Sequence, residues 1–379
     1  MTVSVDSRRS RTRSALAAVL TVLILVPTGV LFTRVWNDVS DSVESSELEQ
    51  KGIEYITALS PLISALAENQ SSALAGVNTT PGSLAAAITA VNSVDQRLGA
   101  ELGTRDRWTG LKQKIDLLPK ETGAPATLLE AHVEVAELAL ALYETVRDNS
   151  DLLHDPDNDI AHLAEAVAVD LPTTVIQVSR MGDLSQLVAK AKGQQQDALA
   201  AQFAAALLEV NTSVGSLTDN LQEAVDDTNS PTLSGNLVTG LDTFRRGVES
   251  LTRGANPGGA PNPATMVTAQ SQLQLSLANL TGITNREMAR LLEARLDDLD
   301  YREIEALVVA GAAVLLALAA IVIPLTGRSR PAPARRSKRN SGSGEAPRDL
   351  TVGAGGEPDP YAMYGEAATN QRERSGALR

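Results

Sequence analysis

The sequence predicts an all-α protein: an elongated helical bundle, organised as two stacked four-helix bundles, set between two transmembrane helices. Three observations predict it. Ala15–Phe32 and Ala306–Thr326 are uncharged runs of 18 and 21 residues, each long enough for a helix to cross the hydrocarbon of a bilayer. Between them apolar residues recur at helical spacing, and no alternating run of β-branched or aromatic residues interrupts them. Aromatic residues make up 3% of the chain while Ala and Leu dominate. The core must then be built from small and medium aliphatics, which suits close-packed helices rather than a sandwich or barrel.

Charge orients the two runs. Arg8, Arg9, Arg11 and Arg13 precede the first, and Arg328, Arg330, Arg335, Arg336, Lys338 and Arg339 follow the second. Basic flanks stay inside, so both termini are expected in the cytoplasm of a two-span cell-membrane protein, with the lipid bilayer as a partner. The stretch from Arg34 to Ile304 carries 19 basic and 38 acidic residues, and a surface so anionic disfavours nucleic acid and anionic lipid as partners, so no nucleic acid is expected. A cleaved signal peptide is the alternative reading of the first run. No A-x-A-like site follows it promptly, and it leads directly into a helical pattern. Cysteine is absent, which excludes disulfides, thiolate metal sites and a cysteine nucleophile.

The elements follow in order. Residues 1–14 form a basic cytoplasmic tail, 15–33 the first span, 34–304 an extracellular helical domain, 305–326 the second span, and 327–379 a Pro/Ser/Gly-rich basic tail whose composition predicts disorder. Within the domain a long helix runs from Val35 to Ala75 with Pro61 as a kink or break, and Asn78-Thr-Thr-Pro81-Gly closes it. A second covers Ser83 to Leu118, interrupted near Gly103, and Pro119 to Pro125 turns the chain. Thr127 to Leu153 is periodic, with Leu128, Ala131, Val135, Leu138 and Leu142 on one stripe. Asp155-Pro-Asp-Asn-Asp leads to a short helix ending at Asp170, and Pro172 opens the next, to Ala191. Further helices cover Gln194–Asp227 and Thr232–Arg253. The loop Asn256–Pro263 precedes a last helix, from near Ala264, that enters the second span. At 1.5 Å per residue a helix of about 40 residues rises roughly 60 Å, which is why the domain is expected to be elongated.

Ser150–Glu165 reads SDLLHDPDNDIAHLAE, with Leu171-Pro172 following. It resembles the pattern SNLxLDPDxDSYYLxD…LP of the external sensor regions of bacterial histidine kinases and methyl-accepting receptors. LSPLISALAENQSSALAG, Leu59 to Gly76, is similar to the first-helix motif ALQxERGxSA of their nitrate- and nitrite-sensing type. The resemblance implies a double four-helix bundle in a sensor-like membrane protein, and its motif residues are Asp155, Pro156, Asp157, Asp159, Leu163 and Pro172. Asn69 stands where that family has an anion-facing Arg, and Ala161 and His162 replace its paired tyrosines. The 53 residues beyond Thr326 are too few for a kinase core, a methyl-accepting hairpin or a cyclase.

Site chemistry is sparse. Asp155, Asp157 and Asp159 have the alternate spacing that opens a calcium loop, but Ile160 stands where that loop needs Gly, and Ala166 where it needs Glu. Capping and turn formation are the expected roles, with no metal. His154 and His162 flank the segment as solvated or capping residues. Arg245, Arg246, Arg286 and Arg290 admit two readings: facing an anionic ligand inside the bundle, or pairing at the surface with acids such as Glu249 and Glu293. Met288, Leu292, Leu296 and Leu299 form a stripe that serves either the domain's own core or a homodimer seam. Tyr361 and Tyr364 form the tail's aromatic island, read as a docking motif or as free of partners. No nucleophile elbow, phosphate loop, dinucleotide fingerprint or HExxH occurs. A non-enzymatic protein without cofactors is expected. It reads as sensor-like, signalling through a separate signalling or envelope protein; the alternative is a structural scaffold of the cell envelope.

Overall fold

The computed structural model describes residues 6–77, 79–152, 155–256 and 261–326. The expectations for residues 327–379, for His154 and for the first five residues lie outside it. The described residues form nine α-helices and no strand: α1 Asp6–Leu74, α2 Gly82–Leu98, α3 Arg105–Leu117, α4 Pro125–Asn149, α5 Asn158–Glu165, α6 Leu171–Lys190, α7 Gln194–Asp227, α8 Pro231–Ala255 and α9 Pro263–Thr326. The chain is all-α where it is described.

Two long helices organise the rest. α1 has 69 residues and α9 has 64, roughly 100 Å each at 1.5 Å per residue. They run antiparallel, because Glu49 of α1 faces Arg295 of α9 while Ser60 faces Asn285. Of the kink or break expected at Pro61, the break does not occur: α1 continues as one helix through it. Proline removes one backbone donor here. Its ring sits on the exposed face, while the neighbouring Leu59, Leu62 and Ile63 are buried. Ser60 Oγ donates to the Ile56 carbonyl at 3.0 Å and accepts from Asn285 Nδ2 at 3.1 Å, so polar contacts brace the helix beside the proline.

α2 returns antiparallel along α1. The buried Tyr55 hydroxyl donates to Asp95 at 2.9 Å, Thr104 donates to the same carboxylate at 2.7 Å, and Arg97 pairs with Glu54. The expected helix from Ser83 to Leu118 is thus two, α2 and α3, parted by a turn whose Gly103 has φ +62°, a backbone state glycine adopts without steric cost. α4 lies along α1, burying Leu129, Val135, Ala139, Leu142 and Val146. α5 and α6 were expected as separate helices and form one helical run, joined by a π turn at Ala166–Asp170 just before Pro172. Widening the turn ahead of a proline relieves the ring's demand on the preceding backbone. α6 rises parallel to α1, with Asp183 level with Gln70 and Ser71. α7 descends beside it and α8 ascends against α9.

The α8–α9 contact rests on a seven-residue repeat of glycines. Gly240, Gly247 and Gly254 face Leu280, Leu273 and Met266 in turn, and a Cβ at these glycines would lie 3.0, 2.9 and 3.1 Å from those side chains. Absent side chains let the two helices approach, which is how an Ala/Leu-rich core with few aromatics reaches close packing. Below the domain the long helices are apolar and uncovered. Val19, Leu23, Val26 and Val30 of α1 and Leu307, Val308, Leu315 and Leu316 of α9 are exposed. Both helices are long and apolar enough to cross a membrane.

Candidate functional site

The Asp-Pro-Asp segment lies where α1, the α4–α5 loop and α9 converge. Asp155 is drawn inward, its side chain fully buried, and accepts a 2.6 Å bond from Arg295 Nη1. Its other oxygen accepts the Asp157 backbone N–H at 2.7 Å, a turn of the kind Asp commonly nucleates. Asp157 itself stays exposed, 3.9 Å from Arg295 Nε. Glu49 enters from α1 with its side chain 1% exposed, 3.6 Å from Arg295 Nη1. Burial, and then the charge on Asp155, push the Glu49 carboxyl up to about 8 against the pull of Arg295. Burial also raises Asp155, opposed by the Asp157 N–H and Arg295.

Beside this joint a cleft of about 700 Å³ opens between the loop, the α7–α8 turn and α9, lined by Asp157, Asp159, Asp227, Thr232, Arg290 and Leu291. Asp159 accepts from Thr228 Oγ1 at 2.7 Å and from the Ile160 N–H at 2.9 Å. Arg290 is held by Glu287 at 2.6 Å, and the buried Glu287 also accepts from Thr232 and Asn236 at 2.9 and 2.7 Å. The walls therefore present three carboxylates and one guanidinium, so they favour a cationic or donor-rich group over an anion.

The chain matches no family model, and no curated protein or solved structure shows significant similarity to it.

The motif residues thus divide by role. Asp155 is a buried ion-pair partner, Asp157 and Pro156 line the cleft, Asp159 holds the α7–α8 turn, Leu163 is core at 0% exposure, and Pro172 is buried in the first turn of α6. Asp155 and Asp157 both face Arg295 of α9, at 2.6 and 3.9 Å, while Asp159 is taken by Thr228 of the α7–α8 turn. His162 packs its Nδ1 3.2 Å from Asn220 Oδ1. Arg245, Arg246, Arg286 and Arg290 point outward, so the bundle interior takes none of them. Met288, Leu292 and Leu299 are buried in the chain's own core. Asn69 and His132 border a space of about 10 Å³, room for about one water. Burial pushes His132 down to about 4, leaving it neutral and unsuited to hold an anion.

Sequence reasoning missed Glu49, Arg295, Asp170 and Asp183. Asp183 accepts from Gln70 at 2.8 Å and Ser71 at 2.9 Å, with burial pushing it up to about 6. Asp170, in the π turn, accepts from Ser216 and Asn220 at 2.8 and 2.7 Å. A signal existed for Glu49: it sits at helical spacing in the apolar stripe that continues through Ile53 and Ile56.

Proposed function

We propose that this is a two-span membrane protein, termini in the cytoplasm, whose external helical domain responds to a solute or partner and passes the change through the membrane to a separate signalling or envelope protein. The observation that carries this reading is that α1 and α9 each run unbroken from an uncovered apolar segment into the domain's core. A change in how the two helices pack outside is carried to the apolar segments without any intervening loop. The register favours the same arrangement. From the Glu49–Arg295 level down, 17 residues lead to Phe32 on α1 and to about Ala312 on α9, so the two apolar segments overlap in height. Phe32 and Trp36 pair at 5.8 Å where the first segment ends, the position at which aromatic residues favour the membrane interface.

In this reading α1–α4 and α6–α9 form the two four-helix sets, joined where α1 packs on α6 and α9. The cleft beside the Asp-Pro-Asp segment reaches the α1–α9 joint through Asp157, which lines it and lies 3.9 Å from Arg295. The resemblance to external sensor regions points the same way.

Two measurements test it. Because the chain has no cysteine, single substitutions Ser7→Cys, Asn158→Cys and Ser341→Cys report topology without background. An impermeant maleimide should label only Asn158→Cys in intact cells, and labelling of either terminal site would overturn the arrangement. Full-length protein in nanodiscs should then gain thermal stability with at least one member of a solute panel that includes nitrate and nitrite. A chain that ignores every solute yet retains specific membrane proteins would be a spacer or binding platform instead.

A further inference from the structure

Glu49 is buried, and neither of its carboxylate oxygens accepts a hydrogen bond from a donor. Ser46 Oγ, one turn earlier on the same face of α1, is buried and equally unpartnered. Arg295 stands 3.6 Å away but commits its Nη1 to Asp155 at 2.6 Å. Two buried carboxyl groups therefore share one guanidinium, and leaving a second carboxylate anionic without donors is costly. The Glu49 and Asp155 carboxyls face the same guanidinium nitrogen, Asp155 at 2.6 Å and Glu49 at 3.6 Å. Two buried carboxyls crowded on one cation are stable when one of them carries a proton. Asp155 already receives the guanidinium and the Asp157 N–H, so the proton belongs on Glu49.

We propose that Glu49 carries a proton donated in a bond to Asp155, and that this proton is the latch holding the α4–α5 loop and α9 against α1. With it in place, the joint contains one buried cation and one buried anion. Its loss to water leaves a second anion on Glu49, facing Asp155 and Asp151 from the loop and Arg295 from α9. The loop is held to α1 at its near end by Ser45 Oγ on Asp151 at 2.9 Å and by the buried Leu152, so the release is expected at Asp155–Asp157. Burial pushes the Glu49 carboxyl up to about 8, so the release falls within mildly alkaline conditions. The inference concerns the joint alone and does not depend on the membrane topology.

The test uses the full chain in nanodiscs with spin labels on Glu47→Cys and Asn158→Cys, both exposed positions, and reads their separation by pulsed electron resonance from pH 6 to 9. The distribution should be narrow at pH 6.5, gain a longer component with a midpoint near pH 8, and be dominated by it at pH 9. Adding Glu49→Gln, which keeps a donor without a charge, should hold the narrow form throughout. A distribution unchanged across the range, or a Glu49→Gln chain that follows the same curve, overturns the latch. If Glu49→Gln does not fold, infrared spectra of the unsubstituted chain decide: a protonated-carboxyl band should be present at pH 7 and absent at pH 9, and its absence at pH 7 overturns the proposal. A wrong topology with an intact pH response would sink the functional reading and leave the latch standing.

Discussion

Arg295 Nη1 lies 2.6 Å from Asp155 Oδ2, although 140 positions separate them in the sequence. That contact closes the base of the helical domain, because it pins the loop after α4 to the helix that leads toward the second apolar segment.

Replacing Arg295 should therefore cost much more than an ordinary surface pair. Arg295→Met leaves Asp155 and Glu49 buried without their cation, and breaking a buried pair costs about 3–5 kcal/mol. The loss should shrink at pH 5, where the orphaned carboxyls take up protons instead of staying charged. Urea unfolding of the full chain in detergent, followed by circular dichroism at pH 8 and pH 5, measures both. Equal losses at the two values would contradict the buried-pair account.

The glycine repeat predicts opposite signs for two Gly→Ala changes. Alanine is the better helix former by about 1 kcal/mol. At Gly215 a Cβ meets nothing within 4 Å, so Gly215→Ala should stabilise by about 0.5–1 kcal/mol. At Gly247 it meets Leu273 Cδ1 at 2.9 Å and the Leu273 backbone Cα at 3.4 Å. Overpacking costs about 1–3 kcal/mol, which outweighs the helix gain, so Gly247→Ala should destabilise by about 1 kcal/mol. Paired denaturation curves decide the signs.

Stability should fall as pH rises from about 4.5 to about 8. Glu49 and Asp183 are raised in the folded chain to about 8 and about 6, so over these intervals the folded state holds protons that the unfolded state has released, and raising the pH favours unfolding. His132 opposes them: lowered to about 4 from 6.5, it is neutral when folded but protonated when unfolded, so it adds stability as pH rises to 6.5. With one group against two the net slope is downward from 4.5 to 6, nearly flat to 6.5, and downward again to 8. Melting temperatures at half-unit intervals should trace that shape, and Asp183→Asn should remove the first descent.

Pro61 should be dispensable for the helix it interrupts. α1 passes through it with Ser60 bracing the turn, so Pro61→Ala restores a backbone donor without disturbing the buried face. A gain of about 1–2 kcal/mol is expected, less than the full interior penalty of proline because the unfolded chain also gains freedom. A loss of stability would mean that the proline shapes α1.

How much of this was legible in the chain differs between fold and site. The helix at Gln194–Asp227 and the ends of its neighbours were readable because apolar spacing, prolines and glycines act within a few residues. Pro61 does not break the helix, since tolerance of a proline depends on whether the carbonyl it frees one turn earlier faces water, which a linear pattern does not reveal. At the site, the spacing of Asp155, Asp157 and Asp159 marked the right segment while suggesting a shared ion. Instead Asp155 and Asp157 face Arg295 of α9 while Asp159 accepts from Thr228 of the α7–α8 turn, so the donors come from two elements far apart in the chain. Arg295 sits within the segment Asn285–Ile304 that sequence reasoning examined for its apolar stripe, and nothing in its own neighbourhood names an aspartate 140 residues earlier.

By itself the sequence determined where helices form and which two stretches are apolar enough to cross a bilayer, since periodicity and hydrophobicity are local properties of the chain. Only the tertiary structure decided that α8 presents glycines every seventh residue to α9, that α5 and α6 join through a π turn, and that two buried acids meet over one arginine. Those outcomes depend on the direction in which each turn sends its helix and on the volumes that then oppose one another, and both are set by contacts between residues far apart in the chain.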